Sequence, residues 1–196
     1  IYCKKCLMPN TKPNLSFDKN GICAACNNSI FIKRLSTSQR DKNELILKKK
    51  IESAKKLNRL YDIIIPVSGG KDSLYQVYKA KKYTKKILAV CIDFGLRTKI
   101  GDDNLKIINE KLDVDLIKFS INHEVIRKLA IYSLKKHGDP DLFNHSSIYT
   151  IPAILADNLN IPIVLYGEDS RFQYGFKNDY KKISEITDQR FDKIFF

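Results

Sequence analysis

The chain is short of acidic residues, of histidine and of long apolar runs, and each shortage narrows what it can do. No apolar run approaches the roughly 18–20 residues needed to span a membrane, and no signal peptide is visible. We therefore expect no membrane partner and a cytoplasmic location. The three histidines, His123, His137 and His145, lack metal-ligand spacing. Only His145, in the loop Gly138-Asp-Pro-Asp-Leu-Phe-Asn-His145, falls where a cleft is expected. Against 35 Lys and Arg there are 22 Asp and Glu, a formal net charge of +13 with a pI near 9.4. Such a surplus invites a nucleic-acid or polyanionic partner. Here the charges are not interleaved with aromatics in one strip, so we favour lysine-rich, solvated helix faces. Cysteine is sparse too, at five residues. Four of them fall in two C-x-x-C pairs, which speaks for metal binding in a reducing compartment rather than an extracellular disulfide framework.

What is present suits a soluble globular protein. At 196 residues, with 43% hydrophobic and 29% charged residues, there is room for one ordinary core and a small appendage. The appendage is Cys3-Lys-Lys-Cys6 and Cys23-Ala-Ala-Cys26, sixteen residues apart, with Pro9, Pro13, Asn20 and Gly21 as turn formers between them. Two such knuckles can bring four thiolates to one tetrahedral Zn²⁺. A redox pair and an iron–sulfur site are the alternatives. Four protein ligands leave no open position, so the metal would be structural and would supply much of the module's folding free energy. We set residues 1–30 as a zinc knuckle, 31–60 as a basic helical linker and 61–196 as the main domain. In the linker Ser36-Thr-Ser38 starts a second helix, with Leu45, Ile46, Ile51, Leu57 and Leu60 as its apolar side.

The main domain is organised around Tyr61-Asp-Ile-Ile-Ile-Pro-Val-Ser-Gly-Gly-Lys-Asp-Ser73. The β-branched run Ile63–Val67 reads as a buried parallel strand. It stops at Ser68-Gly69-Gly70, and a helical pattern opens at Asp72-Ser73. Paired glycines allow unusual backbone conformations and leave no Cβ to hold an anion away. A helix start offers unpaired N–H groups and partial positive charge; Lys71 adds a full charge, and Ser68 and Ser73 add hydroxyl donors. Together they form a phosphate cradle. It is not a Walker A loop, whose glycines are spaced differently; an ordinary Gly-rich turn is the bland alternative.

Strands alternate with helices from there on: Lys86–Asp93, Val114–Phe119 and Pro162–Tyr166, with helices over 72–82, 102–112, 122–136 and 147–159. In the third helix Val125, Ile126, Leu129 and Ile131 to Leu134 form the inner side, and Pro152 sits in the first turn of the fourth or kinks it. This is an α/β fold, a parallel sheet flanked by helices with right-handed crossovers. Ligands of such sheets lie beyond the carboxyl ends of the strands. That rule nominates Ser68–Ser73, Asp93-Phe-Gly-Leu-Arg97 and Gly167-Glu-Asp-Ser170. Asp93 takes a ribose hydroxyl, orients the substrate or merely caps a turn. Asp72, Glu168 and Asp169 supply hard oxygen ligands for Mg²⁺. Cys91, inside a strand, reads as a small buried thiol. The chain begins at Ile1 and ends on Ile194-Phe-Phe196 after Tyr180, Ile183, Ile186 and Phe191. Large apolar residues at a terminus are unusual, and we expect a sequence cut before its natural C-terminus.

Ser68-Gly-Gly-Lys-Asp-Ser73 matches the S-G-G-x-D-S signature of the PP-loop ATP pyrophosphatases. That resemblance implies cleavage of ATP between the α- and β-phosphates, pyrophosphate held in the loop and adenylation of a carbonyl oxygen. Further motifs narrow it: Cys3-Lys-Lys-Cys-Leu-Met-Pro-Asn-Thr-Lys-Pro13, Phe17, Gly21-Ile-Cys-Ala-Ala-Cys26, Asp93-Phe-Gly-Leu-Arg-Thr98 and Tyr166-Gly-Glu-Asp-Ser170. With the loop, they resemble the N-acetyl sugar amidotransferase family of lipopolysaccharide and flagellin-glycan synthesis, as far as about Gly175. The resemblance implies ATP, Mg²⁺ and Zn²⁺, a nucleotide-activated or acidic N-acetyl sugar, and a glutaminase partner supplying ammonia. Lys71 and Asp72 would be the catalytic residues, with Ser68, Gly69, Gly70, Ser73, Asp93, Gly167, Glu168 and Asp169 completing the ATP site. Two departures stand out: the family's further C-x-x-C falls on Asp141 and Asn144, and its chain is longer. A tRNA-thiolating PP-loop enzyme is the rival reading; only Cys91 remains for sulfur chemistry, while the basic charge suits tRNA. A non-catalytic, ATP-binding zinc-ribbon subunit is the other.

Overall fold

The computed structural model describes residues 1–12, 15–34 and 36–167. It divides into two compact units, one containing Ile1–Asp41 and the other Lys42–Gly167. The boundary falls inside a helix.

The first unit carries short bridges rather than strands, Tyr2 with Pro9 and Phe17 with Cys23, followed by α1 (Ala24–Arg34). The next helix, α2 (Thr37–Lys56), starts where the Ser36–Ser38 cluster predicts. Ser36 Oγ accepts from Gln39 N at 3.2 Å, as an N-cap does.

The second unit is a parallel sheet of β1 (Ile63–Pro66), β2 (Ile87–Asp93) and β3 (Asp115–Ser120), in that spatial order. Ile63 pairs with Ile87, and Leu88 with Asp115. Strand side chains alternate between faces, and both faces of β1 and β2 are covered. On one, Ile63, Ile65, Ile87, Ala89 and Cys91 pack with Ile51 of α2, Val77 and Ala80 of α3 (Lys71–Ala80), Leu105 of α4 (Lys99–Lys106) and Ile108. On the other, Ile64, Leu88, Val90 and Ile92 pack with Ala156 of α6 (Leu142–Asn158) and with Ile161. Burial on both faces is why these strands read as unbroken apolar runs. The parallel α/β architecture is as the sequence leads one to expect.

Several local expectations need correction. The expected fourth strand, 162–166, is reduced to a single parallel bridge, Ile64 with Val164, flanked by Ile64 N–H to Ile163 O and Leu165 N–H to Ile64 O, each 2.9 Å. Pro162 has no N–H to extend the ladder. Along α2 only Ile51 of the proposed apolar side is buried, and Leu45, Ile46, Leu57 and Leu60 are exposed. The true stripe is Leu47, Ile51 and Ala54, spaced i, i+4 and i+7. α4 begins at Lys99, capped by Thr98, and passes into a π turn at Ile107–Lys111.

α5 (His123–His137) has strong end signals: Asn122 Oδ1 accepts from the N–H groups of Glu124 and Val125, and Gly138 closes the helix at φ +72°. Its inward stripe is Ile126, Leu129, Ala130 and Ser133, whereas Val125, Ile131, Tyr132 and Leu134 are exposed. α6 starts at Leu142, five residues before the expected Ser147, so Pro152 lies buried within it rather than in its first turn. No described helix is long and apolar enough to cross a membrane.

Candidate functional site

β1 delivers the chain to the Ser68–Ser73 loop, the expected phosphate cradle, at the carboxyl edge of the sheet. Gly69 stands at φ +81°, a region few residues other than glycine adopt at low cost. Gly70 N–H donates to Ser68 Oγ at 3.2 Å, and Ser73 Oγ donates to Gly70 O at 3.0 Å. α3 then opens at Lys71, one residue before the expected start, with no side chain capping its N-terminus. The first-turn N–H groups of an uncapped helix point outward with partial positive charge. Lys71 Nζ lies 2.8 Å from both carboxylate oxygens of Asp72, and both side chains are largely exposed. Such an exposed pair is worth about 0–1 kcal/mol, so either partner is readily exchanged for a ligand.

Three further residues, none of them anticipated in the sequence, hold the surroundings. Gly101 of α4 packs on Gly69, and Asn104 Nδ2 donates to Gly69 O at 2.8 Å. Gln76 of α3 donates to Leu165 O at 2.8 Å, and its amide lies where a Cβ on Gly167 would go. Gly167 is thereby tied to the loop's own helix. Glu168 and Asp169, expected to share Mg²⁺ with Asp72, lie outside the described residues.

Asp93 ends β2 on the same edge of the sheet, three residues beyond Val90, the partner of Pro66. Its carboxylate is already engaged. Oδ1 accepts from Gly95 N–H at 2.9 Å and lies 3.5 Å from Arg97 Nη2, and Oδ2 lies 2.9 Å from Lys118 Nζ. Lys118 first, then the Gly95 N–H and Arg97, hold this carboxyl below the usual range. Arg97 also pairs with Asp102 at 3.3 Å and donates to Cys91 Sγ at 2.8 Å. Burial pushes the Cys91 thiol up. His145 lies in the first turn of α6, against Asp141 O. The imidazole that packs on the turn after β2, at Gly95, is that of His123.

In the other unit Cys3, Cys6, Cys23 and Cys26 place their four sulfur atoms within 4.8 Å of one another. Tetrahedral Zn–S bonds of 2.3 Å put sulfurs about 3.8 Å apart, so the cluster fits that ion. Backbone N–H groups of Lys5 and Cys23 donate to Cys3 Sγ, as expected around a knuckle. Burial pushes the Cys3 thiol up, but backbone N–H donors led by that of Cys23 outweigh it and leave Cys3 at about 6. Burial and the Cys6 and Cys23 sulfurs push Cys26 up to about 12. Four crowded sulfurs that cannot all ionise together are what a divalent cation resolves.

A parallel α/β sheet with this loop after its first strand, opening an uncapped helix, fits the PP-loop ATP pyrophosphatase superfamily. Residues 62–163, more than half the chain, match the family described as "Queuosine biosynthesis protein QueC", and the chain belongs to that family. No sequence among the curated proteins matches it. Among solved structures, the NH3-dependent NAD synthetase from Campylobacter jejuni subsp. jejuni NCTC 11168 is 12% identical with a TM-score of 0.51, over 72% of this chain and 62% of that one. The glutamine-dependent NAD+ synthetase from Acinetobacter baumannii is 16% identical with a TM-score of 0.48, over 60% and 24%. A predicted subunit of tRNA methyltransferase from Methanocaldococcus jannaschii is 21% identical with a TM-score of 0.42, over 68% and 62%. The chain spans less than two thirds of the length of each of these. At such identities the likeness is one of fold.

Proposed function

We propose that the chain is an ATP-dependent amidotransferase that forms AMP and pyrophosphate. The observation that carries this reading is the Ser68–Ser73 loop, with uncapped helix amides beside Gly69 and Gly70, in a chain of a PP-loop family. In the proposed reaction the acetamido oxygen of an N-acetyl sugar attacks the α-phosphorus of ATP. The bond from that phosphorus to the bridging oxygen breaks, and pyrophosphate leaves. Ammonia then adds to the activated carbon and AMP departs, leaving an acetamidino group. No nucleophilic side chain is required.

The loop amides, Lys71 and the Ser68 and Ser73 hydroxyls stabilise charge building on the departing pyrophosphate, the kind of preorganised term that dominates many enzymes. Lys71 exchanges its contact with Asp72 for a phosphate oxygen. Asp72, together with Glu168 and Asp169, would hold Mg²⁺, which shields phosphate charge when bound. The cysteine cluster would hold Zn²⁺ as a structural ion. The acceptor sugar and a glutaminase partner rest on the resemblance of the Cys3–Pro13, Gly21–Cys26 and Tyr166–Ser170 motifs to N-acetyl sugar amidotransferases.

A second reading is favoured by the family match itself, whose description names queuosine biosynthesis. There the same activation would act on a tRNA-related acceptor, and the +13 charge would serve that partner. One experiment separates them. The intact protein is given ATP, Mg²⁺, ammonia and either an N-acetylated nucleotide sugar or tRNA, while AMP and pyrophosphate are followed. We expect sugar-dependent AMP and pyrophosphate. Sub-micromolar, salt-resistant binding of tRNA without sugar turnover reverses the order of the two readings. ADP and phosphate as products refute both.

A further inference from the structure

The phosphate loop is gripped from outside by α4. A Cβ on Gly69 would lie 2.3 Å from Gly101 O, and one on Gly101 would lie 2.7 Å from Arg97 Cγ. Gly101 is therefore wedged between the loop and Arg97, with no room for a side chain on either side. One turn further along, Asn104 Nδ2 reaches Gly69 O at 2.8 Å. Residues three apart on a helix share a face, so both contacts belong to one surface of α4. That surface is anchored: Leu105 is buried in the core, and Thr98 caps the helix by accepting from Gly101 N–H at 3.2 Å.

The carbonyl of Gly69 and the N–H of Gly70 belong to one planar peptide unit and point in opposite directions. Asn104 holds that unit by its oxygen, and Ser68 Oγ holds it by its N–H, at 3.2 Å. Two glycines in sequence have little preference of their own, since glycine accepts both signs of φ. Ser68 holds the unit from within the loop, and Asn104 holds it from outside, by its oxygen. We propose that Asn104 is a positioning residue for the phosphate site, fixing the Gly69–Gly70 peptide plane and with it the aim of the loop's N–H groups. Asn104 touches no phosphate in this account; it acts through Gly69.

The proposal rests on the ATP reading only for its consequence on binding, so the test has one arm that needs no nucleotide. The full chain is compared with Asn104→Leu, which keeps bulk but donates nothing, and Asn104→Gln, which keeps an amide on a longer arm. Hydrogen exchange is followed in the nucleotide-free proteins. In Asn104→Leu, exchange of the Gly70 N–H, held by Ser68 Oγ, accelerates about tenfold, the size of one lost hydrogen bond, while β1 and β2 change by less and the urea midpoint falls only slightly. Affinity for ATP falls about tenfold, and that for AMP, which lacks the phosphates the loop would hold, is unchanged. Asn104→Gln recovers part of both effects. Loop exchange unchanged in Asn104→Leu overturns the proposal, as does acceleration spread across the whole sheet. Equal losses for ATP and AMP also overturn it. A wild-type protein that binds no ATP removes the functional reading, and the exchange arm alone then decides the role of Asn104.

Discussion

The two units of this chain are stabilised by different means. Lys42–Gly167 is built on a sheet buried on both faces, where Ile63, Ile64, Ile65, Leu88 and Val90 are essentially inaccessible. Among its described residues, Ile1–Asp41 has two isolated bridges, one helix wholly within it, and Cys3 and Cys23 as its fully buried apolar residues. The sheet derives its stability from apolar burial, whereas among the described residues the cysteine unit has four convergent sulfurs and little apolar burial. Burial is spread over many residues and survives the loss of one; a metal cluster is all or none.

The strongest way to sharpen that contrast is to remove the Zn²⁺ proposed for the four cysteines. Zinc binding is worth roughly 10–16 kcal/mol in small modules. Chelation, or Cys23→Ala, is expected to abolish stoichiometric metal by elemental analysis and to unprotect amides across 1–30. Amides of β1 and β2 should keep their protection. Sheet amides that lose protection equally would show that the contrast is false.

Next is a lesion in the sheet. Ile64→Ala leaves a void between β1 and α6 and should cost about 2–5 kcal/mol, read as a lower urea midpoint. Metal content should not change. A cost below about 1 kcal/mol would mean that this face of the sheet is not tightly packed.

Gly69→Ala adds a Cβ at φ +81° and 2.3 Å from Gly101 O. The strain is of order 1–3 kcal/mol, a smaller effect on stability than Ile64→Ala. ATP binding, measured by equilibrium dialysis, should nevertheless fall by more than about tenfold, because one hydrogen bond's worth of aim is already that much. Unaltered ATP affinity would separate the loop from the nucleotide.

The smallest expected effect is that of Asp93. Lys118, Gly95 N–H and Arg97 hold its carboxyl below the ordinary value. A group depressed in the folded state contributes stability that is present above its unfolded value, about 3.9. That contribution is lost as pH falls through the lower folded value. Acid titration of the urea midpoint should therefore be steeper in the wild type than in Asp93→Asn below about pH 4. Parallel curves would show that the ion cluster adds nothing to stability.

The sequence made legible what depends on neighbours in the chain. Ile63–Val67 followed by Ser68-Gly-Gly-Lys-Asp-Ser73 declares strand, loop and helix start within thirteen residues of Tyr61, and all three are found there. The two C-x-x-C pairs likewise converge. Contacts made across long separations could not be read. Asn104 reaches Gly69 only because α4 packs against the loop, and Lys118 reaches Asp93 only because β3 pairs beside β2. Helix phase was legible only in part in α2 and α5 for a related reason. Both carry more apolar residues than one stripe can bury, and only packing selects Leu47-Ile51-Ala54 and Ile126-Leu129-Ser133. The fourth strand was read too long because apolar content at 163–165 said nothing of how far pairing extends.

The most direct test of the central claim is a crystal structure of the protein with ATP bound. The account predicts the β- and γ-phosphates against the N–H groups of Gly69–Ser73, with Lys71 released from Asp72 and the α-phosphorus facing the carboxyl edge of the sheet. A triphosphate seated elsewhere, with that loop empty and Lys71 still paired to Asp72, would contradict it.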